Sequence, residues 1–243
     1  MIIPTYINAT EIEYLYEDFG LKKHIKNLSK HSIEASVTNG LKYGIQFEDL
    51  KIELSTQKKL LAVWDYLNEN NLISYQRPKY INIMESSPSY YFEEIVAQKM
   101  YFPLIKLKDF PELKGITVWI SDPDPNDLSS DELMFKGTFL YLVQALYDRA
   151  NISYFFSGCS ALQALSNLVS GNDLFRKNWE EPLGRSNHKH PVEKLEEIGA
   201  VKIGKQSIKT LYRKRYMTDE QCFTYQEKKY RCNDILAYPL FIV

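Results

Sequence analysis

The chain has 243 residues, of which 44% are hydrophobic, 14% aromatic and 25% charged, with a formal net charge of −1. This composition predicts a globular protein that can bury a sizeable core, and it excludes collagen-like, low-complexity and disordered chains. The apolar runs are too short to span a bilayer, the first residues do not resemble a signal peptide, and the three cysteines are an odd number. We therefore expect a cytoplasmic protein with no membrane partner.

The chain begins with a predicted strand and a predicted helix. Residues 2–7 are mostly apolar and favour a strand. Thr10 and Glu13 have the spacing of a capping box, which predicts the start of a helix. Gly20 is a typical residue at which such a helix ends.

The next segment predicts a basic helix and a β-hairpin. Residues 21–31 carry four lysines on a helical pattern, and we expect them to pair by charge with the acidic first helix. Asn39-Gly40 lies between two segments of alternating apolar residues, which predicts a tight hairpin over 32–47.

An amphipathic helix is predicted over 55–70, and a hairpin with a basic tip at Arg77 and Lys79 follows it. The apolar stripe of the helix consists of Leu60, Leu61, Trp64 and Leu67, with Val63 at its margin. Helix plus hairpin resembles the last helix and wing of a winged-helix module over this stretch alone. A helix packed on a small mixed sheet accounts for the same pattern.

The second half of the chain predicts a parallel sheet covered by helices. Its expected strand, helix, strand and helix lie at 116–120, 139–150, 152–156 and 161–169. This βαβα order predicts the α/β or α+β fold class. We place a domain boundary between 1–108, an α+β unit with a β-hairpin and the helix-hairpin, and 109–243, an α/β unit.

The C-terminal segment predicts a second helix-hairpin extension. A short helix is expected over 191–198, between a proline and a glycine. A hairpin over 201–217 would turn at Gly204-Lys205, and the apolar residues 235–243 are expected to pack into the core.

An acidic loop follows the predicted strand 116–120. Asp122 and Asp124 would lie at the carboxyl end of that strand, where open parallel sheets bind ligands. The two carboxylates would then act as ligands of Mg²⁺ or as a general base in catalysis. Ordinary turn chemistry before proline explains the same residues.

A second strand-to-helix turn contains Ser157, Gly158 and Ser160, a pattern that suits phosphate binding at a helix N-terminus. Two alternatives remain open here: Cys159 or Ser160 as a nucleophile, or serines that only cap the helix.

Two histidines and two cysteines are of the right types for zinc, but their spacing matches no finger pattern, so no metal site is predicted. They are His188, His190, Cys222 and Cys232.

The segment 202–231 is strongly basic, with nine Lys and Arg residues against three acids. On an extended strand, one face would carry Lys209, Arg213 and Arg215 and the other would carry Tyr212, Lys214 and Tyr216. Basic residues interleaved with tyrosines suit phosphate contacts plus base stacking. The residues predicted to contact nucleic acid are Lys205, Lys209, Tyr212, Arg213, Lys214 and Arg215. A solvated face, or a partner for the acidic loop, is the alternative.

The leading hypothesis is a nucleic-acid-associated protein within a microbial defence or mobile-element DNA-processing assembly. The first alternative is an enzyme that processes nucleotides or phosphoesters with the loops at 121–127 and 157–160. The second is a non-catalytic subunit of a protein complex.

Overall fold

A computed structural model describes residues 4–21, 51–78, 90–103, 113–124, 137–144, 154–156, 165, 190–225 and 228–243. The helices are α1 Ala9–Asp18, α2 Lys51–Glu69 and α3 Pro191–Glu197. The strands are β1 Tyr6–Ile7, β2 Ile73–Ser74, β3 Tyr90–Tyr101, β4 Thr117–Ser121, β5 Gly137–Gln144, β6 Tyr154–Phe156, β7 Val201–Tyr225 and β8 Lys228–Ile242.

Five of these strands close into a barrel. β3 pairs antiparallel with β4 on one edge and with β7 on the other, and β4 pairs antiparallel with β5. β8 closes the barrel, parallel to β5 and antiparallel to β7. The fourth barrel strand in chain order therefore lies beside the first, which is a Greek-key arrangement. The fold is mixed α/β and mostly strands, which confirms the predicted class in outline.

The helix predicted over 139–150 is wrong for the part that the structure describes, because 137–144 forms β5. Residues 137–143 are all buried, between β4 and β8. A strand covered on both faces is apolar throughout, and periodicity alone does not distinguish it from a buried helix. β4 and β5 are consequently antiparallel neighbours and do not form the predicted βαβ unit.

The hairpin predicted over 201–217 is also wrong, since β7 runs without a turn from Val201 to Tyr225 and forms its hairpin with β8. Gly204 instead marks a bulge. Lys99 of β3 pairs with Gly204 and Met100 pairs with Lys202, so Ile203 is an extra residue in β7. A bulge and a turn share glycine as a signal, which explains the error.

The helix ends follow local rules, with one correction. The N-cap of α1 is Asn8 rather than Thr10, and its side-chain oxygen accepts from the Glu11 N–H at 3.1 Å. Gly20, at φ +65°, follows α1, and Gly199, at φ +104°, follows α3, as the sequence predicts.

Helices α1 and α2 cover the outer face of the barrel, where Leu60, Trp64 and Leu67 of α2 pack in the same cluster as Leu211 and Phe241. The predicted stripe of α2 is confirmed, and Val63 at its margin is fully buried as well. A second cluster fills the barrel. Its members include Tyr91, Ala97, Trp119, Leu140, Ile208, Tyr212 and Ile235.

Several predictions lie outside the described residues: the basic helix beyond Leu21, the hairpin 32–47, most of the helix 161–169, and the second arm of the basic-tipped hairpin. The first arm of that hairpin, β2, pairs parallel with β3. Residue 108 also lies outside, and β3 and β4, which flank the predicted domain boundary there, pair with each other. Among the described helices, none combines the length and the apolar character needed to cross a membrane.

Candidate functional site

A cleft of about 870 Å³ opens where the barrel wall is incomplete. β4 pairs with β3 only from Ala97 onward, and β2 pairs only with Tyr90 and Tyr91. The five residues of β3 between these pairings, 92–96, line the cleft together with 75–78 and 121–124. Thr138 and Lys205 complete its walls.

Arg77 joins three barrel strands within this cleft. Its Nε lies 3.0 Å from Oε2 of Glu93 on β3, and its Nη2 donates to the Ser121 hydroxyl at 3.0 Å. Its Nη1 donates to the backbone oxygens of Asp122, at 3.0 Å, and of Thr138, at 2.8 Å. Because the donors of a guanidinium lie in one plane, a single side chain can hold three strands in register.

Glu93, the carboxylate partner of Arg77, is nearly buried, with 10% of its side chain exposed. It also accepts a hydrogen bond from the hydroxyl of Tyr212. Burial, together with the charge and hydrogen bond of Glu93, raises the pKa of Tyr212 well above its ordinary value. The Tyr212 ring stacks on Tyr91, with centroids 5.5 Å apart. Tyr212 is fully buried, so its ring presents no face to a base.

Asp122 links β4 to α3 and β7. Its Oδ1 lies 3.0 Å from Nε2 of His190, and its Oδ2 lies 3.8 Å from Nζ of Lys205. The Nδ1 atom of His190 accepts the Val192 N–H at 3.2 Å, so Nε2 is the nitrogen that donates to Asp122. Burial favours a higher pKa for Asp122, but the His190 hydrogen bond and the nearby basic groups outweigh it and lower the pKa.

This arrangement makes Asp122 an ionised acceptor between two cationic or donor groups. A lowered pKa makes the Asp122 carboxylate a weaker base, and its role in catalysis stays a prediction from the sequence. Asp124 lies in the same cleft and is exposed. In the part of the chain that the structure describes, His, Cys, Asp and Glu side chains form no group of three that could hold a metal ion.

The barrel part of β7 pairs its cations with carboxylates of the same molecule. Their Nζ or Nη1 atoms lie within ion-pair distance of one acid each: Lys202 with Glu196, Lys205 with Asp122, Lys209 with Glu94 and Arg213 with Glu11. Arg215 is 3% exposed. Lys214 lies over the Tyr91 ring, and burial lowers its pKa.

β7 keeps the predicted alternation from Lys209 to Lys214: Lys209 and Arg213 pair with Glu94 and Glu11, whereas Tyr212 packs in the cluster that fills the barrel. The alternation ends at Arg215, which is an extra residue in β7. The register of β7 with β8 shifts between Leu211 and Tyr212 and again between Lys214 and Tyr216. Thr210, Leu211 and Tyr212 are consecutive buried residues because β7 is covered on both faces here: Leu211 packs in the cluster with α1 and α2, and Tyr212 packs inside the barrel. Of the six residues predicted to contact nucleic acid, Lys205 is the most exposed, at 59% of its side chain.

Beyond the barrel, β7 and β8 continue as a two-stranded ribbon, which we define as residues 221–225 and 228–232. The residues of β7 that follow Thr218 and the residues of β8 that precede Cys232 pair with each other and with no other described strand. Phe223 pairs with Tyr230, Thr224 with Lys229, and Tyr225 with Lys228. The ribbon therefore places basic and aromatic residue types outside the barrel.

The structure does not test the remaining predicted sites. Ser157, Gly158 and Ser160 lie outside the described residues, as do Cys159 and His188. Cys222 and Cys232 lie on facing strands of the ribbon, in neighbouring pairs. Sequence reasoning missed the roles of Arg77 and Glu93, since nothing local marks two residues whose importance comes from contacts with distant strands.

Comparison with known proteins gives no relative from which to transfer a function: no family model, curated protein or solved structure matches the chain.

Proposed function

We propose that this chain is a nucleic-acid-binding protein whose contact surface is the ribbon formed by the outer parts of β7 and β8. The observation that carries the proposal is the placement of the ribbon, which extends past every other described strand. The ribbon contains three cations, Lys228, Lys229 and Arg231, and one acid, Glu227, lies in the sequence between its two strands.

The chemistry of the ribbon suits a nucleic acid. Cations neutralise phosphates and release counterions, which supplies most of the sequence-independent affinity. The ribbon also contains three aromatic residues, Phe223, Tyr225 and Tyr230, and aromatic side chains stack on unpaired bases. A two-stranded ribbon is furthermore narrow enough to enter the major groove of a duplex.

The architecture agrees with this proposal by analogy. The OB-fold is also a five-stranded Greek-key barrel, and it binds oligonucleotides or oligosaccharides partly through the loop between its fourth and fifth strands. The ribbon is that connection here, because β7 and β8 are the fourth and fifth barrel strands in chain order. Architecture alone does not establish function, so the ribbon chemistry is the stronger support.

The test is fluorescence anisotropy with labelled single- and double-stranded DNA and RNA, titrated against salt. The triple variant Lys228→Ala/Lys229→Ala/Arg231→Ala is expected to weaken binding and to reduce the slope of log affinity against log salt by roughly 2 to 3. The matched control, Lys58→Ala/Lys114→Ala/Lys202→Ala, removes the same charge from exposed positions outside the ribbon. Equal losses in both variants, or no binding at low salt, would contradict the proposal.

Participation in a defence or DNA-processing assembly stays a prediction from the sequence, as does a cytoplasmic location. The enzyme hypothesis also stays a prediction, and the anisotropy samples provide a check on it. Cleaved oligonucleotide on a gel, lost in Asp124→Ala, would support catalysis at the cleft.

A further inference from the structure

The incomplete barrel wall leaves part of a strand edge open inside the cleft. Residues 92–96 of β3 pair with β7 along one edge. On the other edge, β2 ends its pairing at Tyr91 and β4 begins its pairing at Ala97. Within the described part of the chain, no strand pairs with these five residues on that side.

The register shows which backbone groups face the opening. Lys209 exchanges both backbone hydrogen bonds with Val243, at 3.0 and 2.9 Å, so its neighbours Ile208 and Thr210 direct theirs towards β3. Their partners on β3 are Ile95 and Glu93. The alternate residues of β3 therefore direct their N–H and C=O groups away from β7, towards the cleft.

Phe102 supports this assignment, because it continues the same even-numbered series on β3. It exchanges backbone hydrogen bonds on the β4 side, donating to Ile116 at 2.9 Å and accepting from Gly115 at 2.7 Å. Phe92, Glu94 and Val96 are even-numbered too. The pairings at Tyr91 and Ala97 use the Phe92 N–H and the Val96 C=O, which leaves two N–H and two C=O groups facing the cleft that no described strand pairs.

The side chains beside this edge define the partner that it suits. Phe92, Glu94 and Val96 share one face of β3, because alternate residues of a strand point the same way. Glu94 has 61% of its side chain exposed, and Val96 is 53% exposed. Acidic residues outnumber basic ones among those that line the cleft: Glu93, Glu94, Asp122 and Asp124 against Arg77 and Lys205.

We infer that the cleft binds a short, extended, basic segment of a protein partner, which adds a strand to the open edge of β3. The segment places a lysine or arginine beside Glu94 and apolar side chains beside Phe92 and Val96. Main-chain hydrogen bonds supply the affinity, and the alternating side chains supply the specificity. Because β2 and β4 close the slot at both ends, it admits one short strand and not a whole sheet edge.

The probe is a labelled, acetylated and amidated peptide in which valine, lysine and valine alternate with threonine. We expect saturable binding by fluorescence anisotropy, and weaker binding of a peptide with glutamate in place of lysine. Two further versions of the peptide carry backbone N-methyl groups, one version on the odd-numbered residues and the other on the even-numbered residues. Only one of the two is expected to lose binding, because a strand pairs through one edge; retention by both would overturn the inference.

The matched protein variants are Glu94→Lys and Glu13→Lys. Each removes an exposed glutamate that is paired with a lysine, Lys209 or Lys59, but Glu13 lies on α1 and does not line the cleft. Glu94→Lys is expected to weaken the lysine peptide about five- to tenfold and to strengthen the glutamate peptide, as a cross-strand attraction becomes a repulsion. Equal effects of both variants would overturn the assignment. A protein that binds the peptide but binds no oligonucleotide would contradict only the proposed function, since the ribbon and the cleft are separate surfaces.

Discussion

The two parts of β7 use their basic residues differently. Within the barrel, Lys202, Lys205, Lys209 and Arg213 each have a carboxylate of the same molecule within ion-pair distance. In the ribbon, the basic residues of β8 lie where only β7 pairs with it among the described strands. A count of charges along the sequence merges the two groups, although only the second lies beyond the strands that close the barrel.

The difference has a physical reason. A charge inside or beside a core needs a partner, because its desolvation is costly. Arg213, whose side chain is 11% exposed, is therefore an element of folding first, whereas the more exposed lysines of the barrel part of β7 contribute little to stability. This distinction can be tested by substitutions whose effects on stability and on binding diverge.

The largest loss of stability is expected at Arg77, a cation whose guanidinium is hydrogen-bonded to three barrel strands. Its side chain is 14% exposed, and Arg77→Ala leaves the nearly buried Glu93 without its charge partner. We expect the free energy of unfolding to fall by about 4 kcal/mol in urea denaturation. Lys205→Ala, an exposed change in the same cleft, is the control and should cost about 0.5 kcal/mol or less. Similar losses for both would contradict the role given to Arg77.

Arg213→Ala tests a nearly buried cation in the barrel part of β7. The Arg213 Nη1 atom lies 2.8 Å from Oε1 of Glu11, and the two side chains are 11% and 9% exposed. The free energy of unfolding should fall by about 3 kcal/mol, because Glu11 is left as a buried charge.

Adding Glu11→Gln to Arg213→Ala should restore part of that loss. Oligonucleotide affinity, measured on the folded fraction, should not change in either variant. A loss of oligonucleotide affinity without a loss of stability would support the sequence-based prediction that Arg213 contacts nucleic acid.

Asp122→Asn tests, through the pH dependence of stability, the contacts of Asp122 with His190 and with Lys205 of β7. The folded-state pKa of Asp122 is lowered, so its carboxylate stabilises the fold above the unfolded pKa of about 3.9. That contribution is lost as the pH falls through the folded-state pKa. The wild type should therefore lose stability more steeply than Asp122→Asn in acid below about pH 4, measured by urea midpoints. If the urea midpoints of the two proteins fell equally with pH, His190 and Lys205 would not favour the charged form of Asp122.

The smallest effect is expected at Lys209, whose Nζ lies 3.0 Å from Oε2 of the exposed Glu94. A surface pair of this kind contributes less than about 1 kcal/mol. Lys209→Ala should therefore change the free energy of unfolding by less than that, in low and in high salt. A larger loss at low salt would place Lys209 with the cations that hold the fold.

Features that depend on neighbours in the sequence could be predicted, and features that depend on distant strands could not. The stripe of α2 and the glycines after α1 and α3 follow from local spacing. The burial of β5 on both faces depends on residues that are distant in the sequence, so its apolar run resembles a helix. The bulges at Leu240 of β8 and at Arg215 of β7 likewise arise from the register between these two strands. The contacts of Arg77 join residues that are 16 to 61 positions apart, which no local pattern reveals.

Lysine modification followed by mass spectrometry, with and without an oligonucleotide, would show whether the ribbon is the surface that binds nucleic acid. We expect the oligonucleotide to protect Lys228 and Lys229 from modification and to leave the modification of Lys214 and Lys58 unchanged. Protection of Lys214 in the barrel part of β7, with no protection of the ribbon lysines, would contradict binding at the ribbon.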